Sequence, residues 1–99
     1  LKSIYVNIIR KGGHVLVAAC DADLLGKTLS DGHLEFHVSE KFYKGEKKSL
    51  EAAIEAIRHA NSANLIGTDI VGRAVSEGLV HPKAILAISG VPHAQIIKI

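Results

Sequence analysis

The sequence predicts an α+β fold: a mostly antiparallel sheet of about five strands, in the order β-β-β-α-α-β-β, with two helices packed on one face. Three observations carry this reading. A Gly-Gly pair separates two β-branched stretches near the start. Two stretches in the middle of the chain repeat apolar residues at helical spacing. Two further short apolar stretches close the chain on either side of Gly90 and Pro92. Hairpins at both ends favour antiparallel pairing with the helices gathered on one face.

The chain has 99 residues, which suits a single domain over 1–99. At 47 % hydrophobic and 22 % charged residues, its composition is globular rather than disordered. Leu1 in place of an initiator Met suggests a missing first residue.

The elements follow in order. Ile4 to Arg10 and His14 to Ala19 read as strands around Gly12 and Gly13, the residues a two-residue turn requires. That turn sets Ile9 opposite Leu16, Asn7 opposite Ala18 and Tyr5 opposite Cys20. Ile4, Val6, Ile8, Val15, Val17 and Ala19 then share the other face and are assigned to the core. The first face mixes Tyr, Asn and Cys with Ile and Leu, so something must cover part of it. Asp21 to Lys27 reads as a helical turn, with Asp21 as its cap and Gly26 as its end. Asp31-Gly32 marks a turn into a half-exposed strand, Leu34, Phe36 and Val38 alternating with polar neighbours.

Ser39 to Lys48 is polar and reads as a loop. Ser49 caps a helix with Leu50, Ala53, Ile54 and Ile57 on one stripe. Residues 60–67 interrupt the pattern. A second helix runs from about Thr68 to Gly78, with Ile70, Val71, Ala74 and Val75 inward. Ala84 to Ser89 and Ala94 to Ile99 read as the final strands, joined through Gly90-Val91-Pro92-His93.

Several strings occur together: Cys20-Asp21, Leu24-Leu25-Gly26-Lys27, Phe42-Tyr43 with Gly45, Ala63-Asn64-Leu65-Ile66-Gly67, Gly78-Leu79-Val80, and Gly90-Val91-Pro92-His93-Ala94-Gln95. In order and spacing they resemble an archaeal family, Domain of Unknown Function four-two-four, over essentially the whole chain. The resemblance implies an archaeal cytosolic protein. It implies no activity, cofactor or catalytic residue.

Composition narrows function. The single Cys20 excludes an internal disulfide and fits a reducing, cytoplasmic setting. No apolar run approaches the roughly 18 residues of a membrane span, and no signal peptide is visible. The net charge of +2 does not by itself imply nucleic acid. The strongest basic focus is Lys41 to Lys48, where Lys41, Lys44, Lys47 and Lys48 interleave with Phe42 and Tyr43. Lysines neutralise phosphates and an exposed ring stacks on a base. Arg10, Lys11 and Lys27 extend the set. A second candidate is a ligand pocket built from Cys20, Asn64, His93 and Gln95. There Gly90 and Pro92 would fix a turn presenting His93, an acid, base or ligand near neutral pH. Against it, Asp21 and Asp23 raise rather than lower the Cys20 pKa. Asn64 reads more simply as a cap joining the helices. The row His33, Glu35 and His37 lacks the spacing of known metal sites. Gly26-Lys27-Thr28 lacks the upstream glycine of a phosphate loop. No catalytic residue, metal or cofactor is assigned.

The sequence therefore favours a non-enzymatic binding module with RNA as its partner, and the family resemblance extends that expectation to a translation component. A small enzyme or ligand-binding domain is the alternative, and a protein–protein adaptor, self-associating through the half-apolar hairpin face, is a third.

Overall fold

The computed structural model describes residues 2–98. Leu1 and Ile99, the last residue of the expected final strand, lie outside the described residues. Strands β1 (Ser3–Lys11) and β2 (His14–Asp21) form the opening hairpin. Gly12 and Gly13 turn it with φ of 56° and 81°, which residues with a Cβ resist. The register is the expected one, Ile9 to Leu16, Asn7 to Ala18 and Tyr5 to Cys20.

After β2 comes a short 3-10 turn (Ala22–Leu24), then a separate hairpin of β3 (Thr28–Asp31) and β4 (Leu34–His37). The stretch expected as a loop contains two elements instead. A single-turn helix α1 (Glu40–Tyr43) starts at Ser39, whose hydroxyl accepts the Phe42 N–H at 3.3 Å. Strand β5 (Glu46–Ser49) then pairs antiparallel with Ser3 to Val6 of β1. Helix α2 (Leu50–Arg58) follows at once, capped as expected by Ser49, whose Oγ accepts the Ala52 N–H at 3.1 Å. At its other end the Lys98 ammonium donates to the carbonyls of Ile57 and Arg58 at 3.0 and 2.7 Å, where the helix dipole welcomes a cation.

The interruption expected over residues 60–67 is a central strand, β6 (Ser62–Ile66), parallel to β2. Helix α3 (Thr68–Ser76) buries Ile70, Val71 and Ala74. A 3-10 turn (Pro82–Ala84) leads to β7 (Leu86–Ile88) and β8 (Val91–Ile97). The final turn is Ser89-Gly90, both at positive φ, so Val91, Pro92 and His93 belong to a strand rather than to the turn. The main sheet has six strands in the order β5-β1-β2-β6-β8-β7, one more than expected. All its pairs but β2–β6 are antiparallel.

The sheet is covered on both faces. Against α2 and α3 it buries Ile4, Val6, Val17, Ala19, Ala63, Leu65 and Ala94. On the opposite face Ala18, Cys20 and Ile66 lie with Val38 and Tyr43, packed by Leu29, Phe36 and Phe42. The cover required by the mixed hairpin face is thus the segment from β3 to α1. Ile8 corrects the expected core: it points to the helix face yet is 40 % exposed. Pairing with β5 stops at Val6, so from Asn7 onward β1 is the sheet edge. Val15, also assigned to the core, is only partly buried. Among the described residues, no helix is long and apolar enough to cross a membrane.

Ile4→Ala, at a fully buried position, is predicted to cost about 2–5 kcal/mol. Ile8→Ala should fall well below that range. Paired urea denaturation curves check this, and equal losses would contradict the exposed edge at Ile8.

Candidate functional site

The four pocket residues expected from sequence share one sheet face, in two adjacent rows, but do not all meet. Tyr5, Cys20, Ile66 and His93 form one row across the sheet face away from the long helices. Cys20 and His93 are therefore two strand spacings apart, roughly 10 Å, with Ile66 between them. Cys20 is fully buried, and burial, then Asp21, then Asp23 push its thiol up to about 12. It is a packed thiol, without the stabilised thiolate that a nucleophile needs. His93 is half-buried, its ring 5.1 Å from that of Phe36, and burial lowers its pKa. Asn64 and Gln95 are direct partners across β6 and β8. Asn64 is thus a strand residue, not the helix cap expected; Gln95 is exposed.

The aromatic segment divides as well. Tyr43 is 3 % exposed, and burial, then Cys20, push its phenol up to about 12. Phe42 is half-buried, meeting Tyr43 edge-on at 4.9 Å between ring centroids. Tyr43 therefore offers no face to a base, and Phe42 serves the inner core. The Phe42 carbonyl also accepts the Asn7 Nδ2–H at 2.8 Å, which fixes α1 to β1. Lys41 and Lys44 are exposed on and just after α1. His33, Glu35 and His37 are exposed on the outer hairpin.

Lys47 and Lys48 do take part in a concave site. They line a groove of about 710 Å³ together with Lys2, Ser49, Leu50 and Arg73. A second depression, about 370 Å³, continues it past Lys2 and Arg73 toward Asp69. The groove is made by topology. Strand β5 runs straight into α2, which brings its lysines beside the start of β1 and the outer face of α3. Lys2 reaches Asp69 at 3.2 Å, and Lys48 reaches Glu46 at 3.9 Å. Arg73 contacts Glu51 at 3.3 Å and Glu77 at 3.2 Å. Among the described residues Lys47 is the one of the four cations with no carboxylate partner; its ammonium stands 5.5 Å from the centre of the Tyr5 ring. Lys2, Arg73 and Tyr5 were not identified from sequence, because only the β1–β5 pairing and the position of α3 bring them to Lys47.

One polar residue is buried in the described structure, and it serves the fold. The Asp21 carboxylate, 6 % exposed, accepts the Asp69 N–H at 2.9 Å and the Ile70 N–H at 3.0 Å. It caps α3, not the 3-10 turn beside it, which has no side-chain cap. Burial raises its pKa, the two N–H donors pull it back, and Asp69 and Asp23 push it up again.

A two-faced, six-stranded α+β protein with a basic groove at one sheet edge is the class these features define. Within that class the chain belongs to the family described as "Protein of unknown function (DUF424)", whose model matches residues 9–99. The resemblance drawn from its short motifs is borne out. A crystal structure of an "uncharacterized conserved protein from Methanopyrus kandleri" is 30 % identical with a TM-score of 0.79, the match covering 98 % of this chain and 94 % of that one. No curated protein matches significantly.

Native protein near neutral pH is expected to resist a thiol reagent at Cys20 and to react fully once unfolded; rapid native labelling would contradict the burial. His93 carries a pH prediction. Its folded pKa lies below the ordinary 6.5, so the unfolded chain binds more protons there. The His93 contribution to stability is present above 6.5 and is lost as pH falls. Denaturation of the wild type and His93→Gln across pH 5 to 7.5 (roughly the range in which histidine titrates) should show the steeper acid loss in the wild type.

Proposed function

We propose that this protein is a non-enzymatic binding module for RNA or an RNA-bearing translation component, and that the groove along β5 is its contact surface. The observation that carries the reading is the gathering of Lys2, Lys47, Lys48 and Arg73, from three separate parts of the chain, around one concavity. Among the described residues Glu51 is the one acid lining it. The ion pairs that tie up three of these cations are partly exposed, and surface pairs are worth only about 0–1 kcal/mol each. Incoming phosphates exchange with Asp69, Glu46, Glu51 and Glu77 at little cost. Phosphate contacts of this kind position a nucleic acid without reading its sequence.

The buried, high-pKa Cys20 and its separation from His93 weigh against the enzyme or ligand-pocket alternative. The adaptor alternative loses the part of the hairpin face covered by β3, β4 and α1. It keeps exposed apolar side chains such as Ile97, 70 % exposed.

The test is RNA affinity as a function of salt. Binding should weaken as salt rises, and the log–log slope should shrink by about 0.7 for each phosphate that is no longer neutralised. Lys47→Gln with Lys48→Gln should weaken binding and flatten that slope while leaving the melting temperature unchanged. No RNA binding at low salt, or an unchanged slope in the double variant, would overturn the reading.

A further inference from the structure

Resting on the RNA-binding reading, we infer that the groove takes single-stranded rather than duplex nucleic acid, with Tyr5 as the platform on which one base stacks. Tyr5 and Ser3 project from the same face of β1, two residues apart, and Ser3 lines the groove. The ring thus stands next to the site. Tyr5 is half-buried and packs against the core beneath β3, β4 and α1. The ammonium of Lys47, a residue that is itself exposed, stands over its ring. That face of the ring is covered by a side chain that solvent already surrounds.

A lysine held over an aromatic face is attracted weakly when exposed, and a nucleobase competes well for the same face because every base has a π surface. A base on Tyr5 displaces Lys47 sideways, toward the phosphate of the same nucleotide. The groove then supplies Lys2, Lys48 and Arg73 for the phosphates beyond. A duplex keeps its bases inside the stack, so it meets the lysines and leaves Tyr5 unused. Tyr5 thereby takes the stacking role that the sequence assigned to Phe42 or Tyr43.

The chain reports on this directly, because it has two tyrosines and no tryptophan. Tyr43 is buried, so a change in tyrosine emission on binding reads Tyr5. The experiment titrates the whole protein with a single-stranded oligouridylate, a duplex RNA of equal length, and inorganic polyphosphate. Tyr5→Phe serves as the control for light absorbed by the oligonucleotide. The expected result is quenching by the single strand alone, absent in Tyr5→Phe, whose affinity is kept. Tyr5→Leu should lose about tenfold or more in single-strand affinity and nothing for the duplex or polyphosphate. Salt-sensitive RNA binding with no tyrosine quenching, or duplex and single strand bound equally, would overturn the stacking while leaving the RNA reading intact. Failure of every nucleic acid to bind at low salt would overturn the RNA reading itself. If Tyr5→Leu unfolds, the quenching and its loss in Tyr5→Phe still decide the matter.

Discussion

The Asp21 carboxylate sits where β2 ends, below the turn that leads from β6 into α3, and it occupies the two N–H groups that open that helix. Helix α3 has no local cap: its N-cap is Gly67, at a φ of 128°. A Cβ on Gly67 would collide with the Asp21 side chain. So the glycine supplies the backbone conformation and the space, and Asp21, 48 positions before the Asp69 N–H that it accepts, supplies the acceptor. The helix begins where the parallel β2–β6 pair ends. This contact therefore sets the height of α3 over the sheet, and with it the position of Arg73 at the groove. Burial of the carboxylate is tolerated because both oxygens are hydrogen-bonded and a helix N-terminus favours negative charge.

The second constraint is that the sheet has two apolar faces. Two helices cover one face, and the segment from β3 to α1 must cover the other. Its return to the sheet passes over Gly45, where any side chain would collide with the Val6 carbonyl and the backbone of Asn7. Because the chain crosses β1 this closely, β5 emerges alongside Ser3 to Val6. The inner cover and the basic edge are consequences of the same crossing: a change that lifted α1 from Asn7 would also move Lys47 and Lys48.

Which parts were legible follows from the physics of each element. The register of the opening hairpin was readable because Gly12-Gly13 fixes both turn and pairing. Helices α2 and α3 were readable from their stripes and from Ser49. The central strand β6 was not. Ala63, Leu65 and Ile66 are buried on a parallel strand with cover on both sides, and such strands read as short apolar runs without alternation. Strand β5 was hidden for the opposite reason, since Glu46-Lys47-Lys48-Ser49 has no apolar face to show. The Asp21 cap was visible as a residue type but assigned to the wrong helix, because pairing across so many residues has no local signal. Two of the groove cations, Lys47 and Lys48, came from a charge cluster that the sequence displays. Lys2 and Arg73 came from topology that it does not.

The lysines of β5 answer two demands at once. A strand at the edge of a sheet offers unpaired backbone groups to any passing strand, and charged side chains, lysine above all, are the common defence. That alone accounts for a polar β5. It does not account for where the charge lies. Strand β5 ends at Ser49, the cap of α2, so two lysines immediately precede the positive end of a helix dipole. Cations there are unfavourable, whereas anions are stabilised by roughly 0.3–1 kcal/mol. Glu51 in the first turn offsets part of this, but it also engages Arg73. Glutamates would also have put charge on the edge and would have suited the helix dipole better. The choice of lysine, beside Lys2 and Arg73, therefore runs against the local electrostatics of the free protein, and an anion in the groove would relieve it.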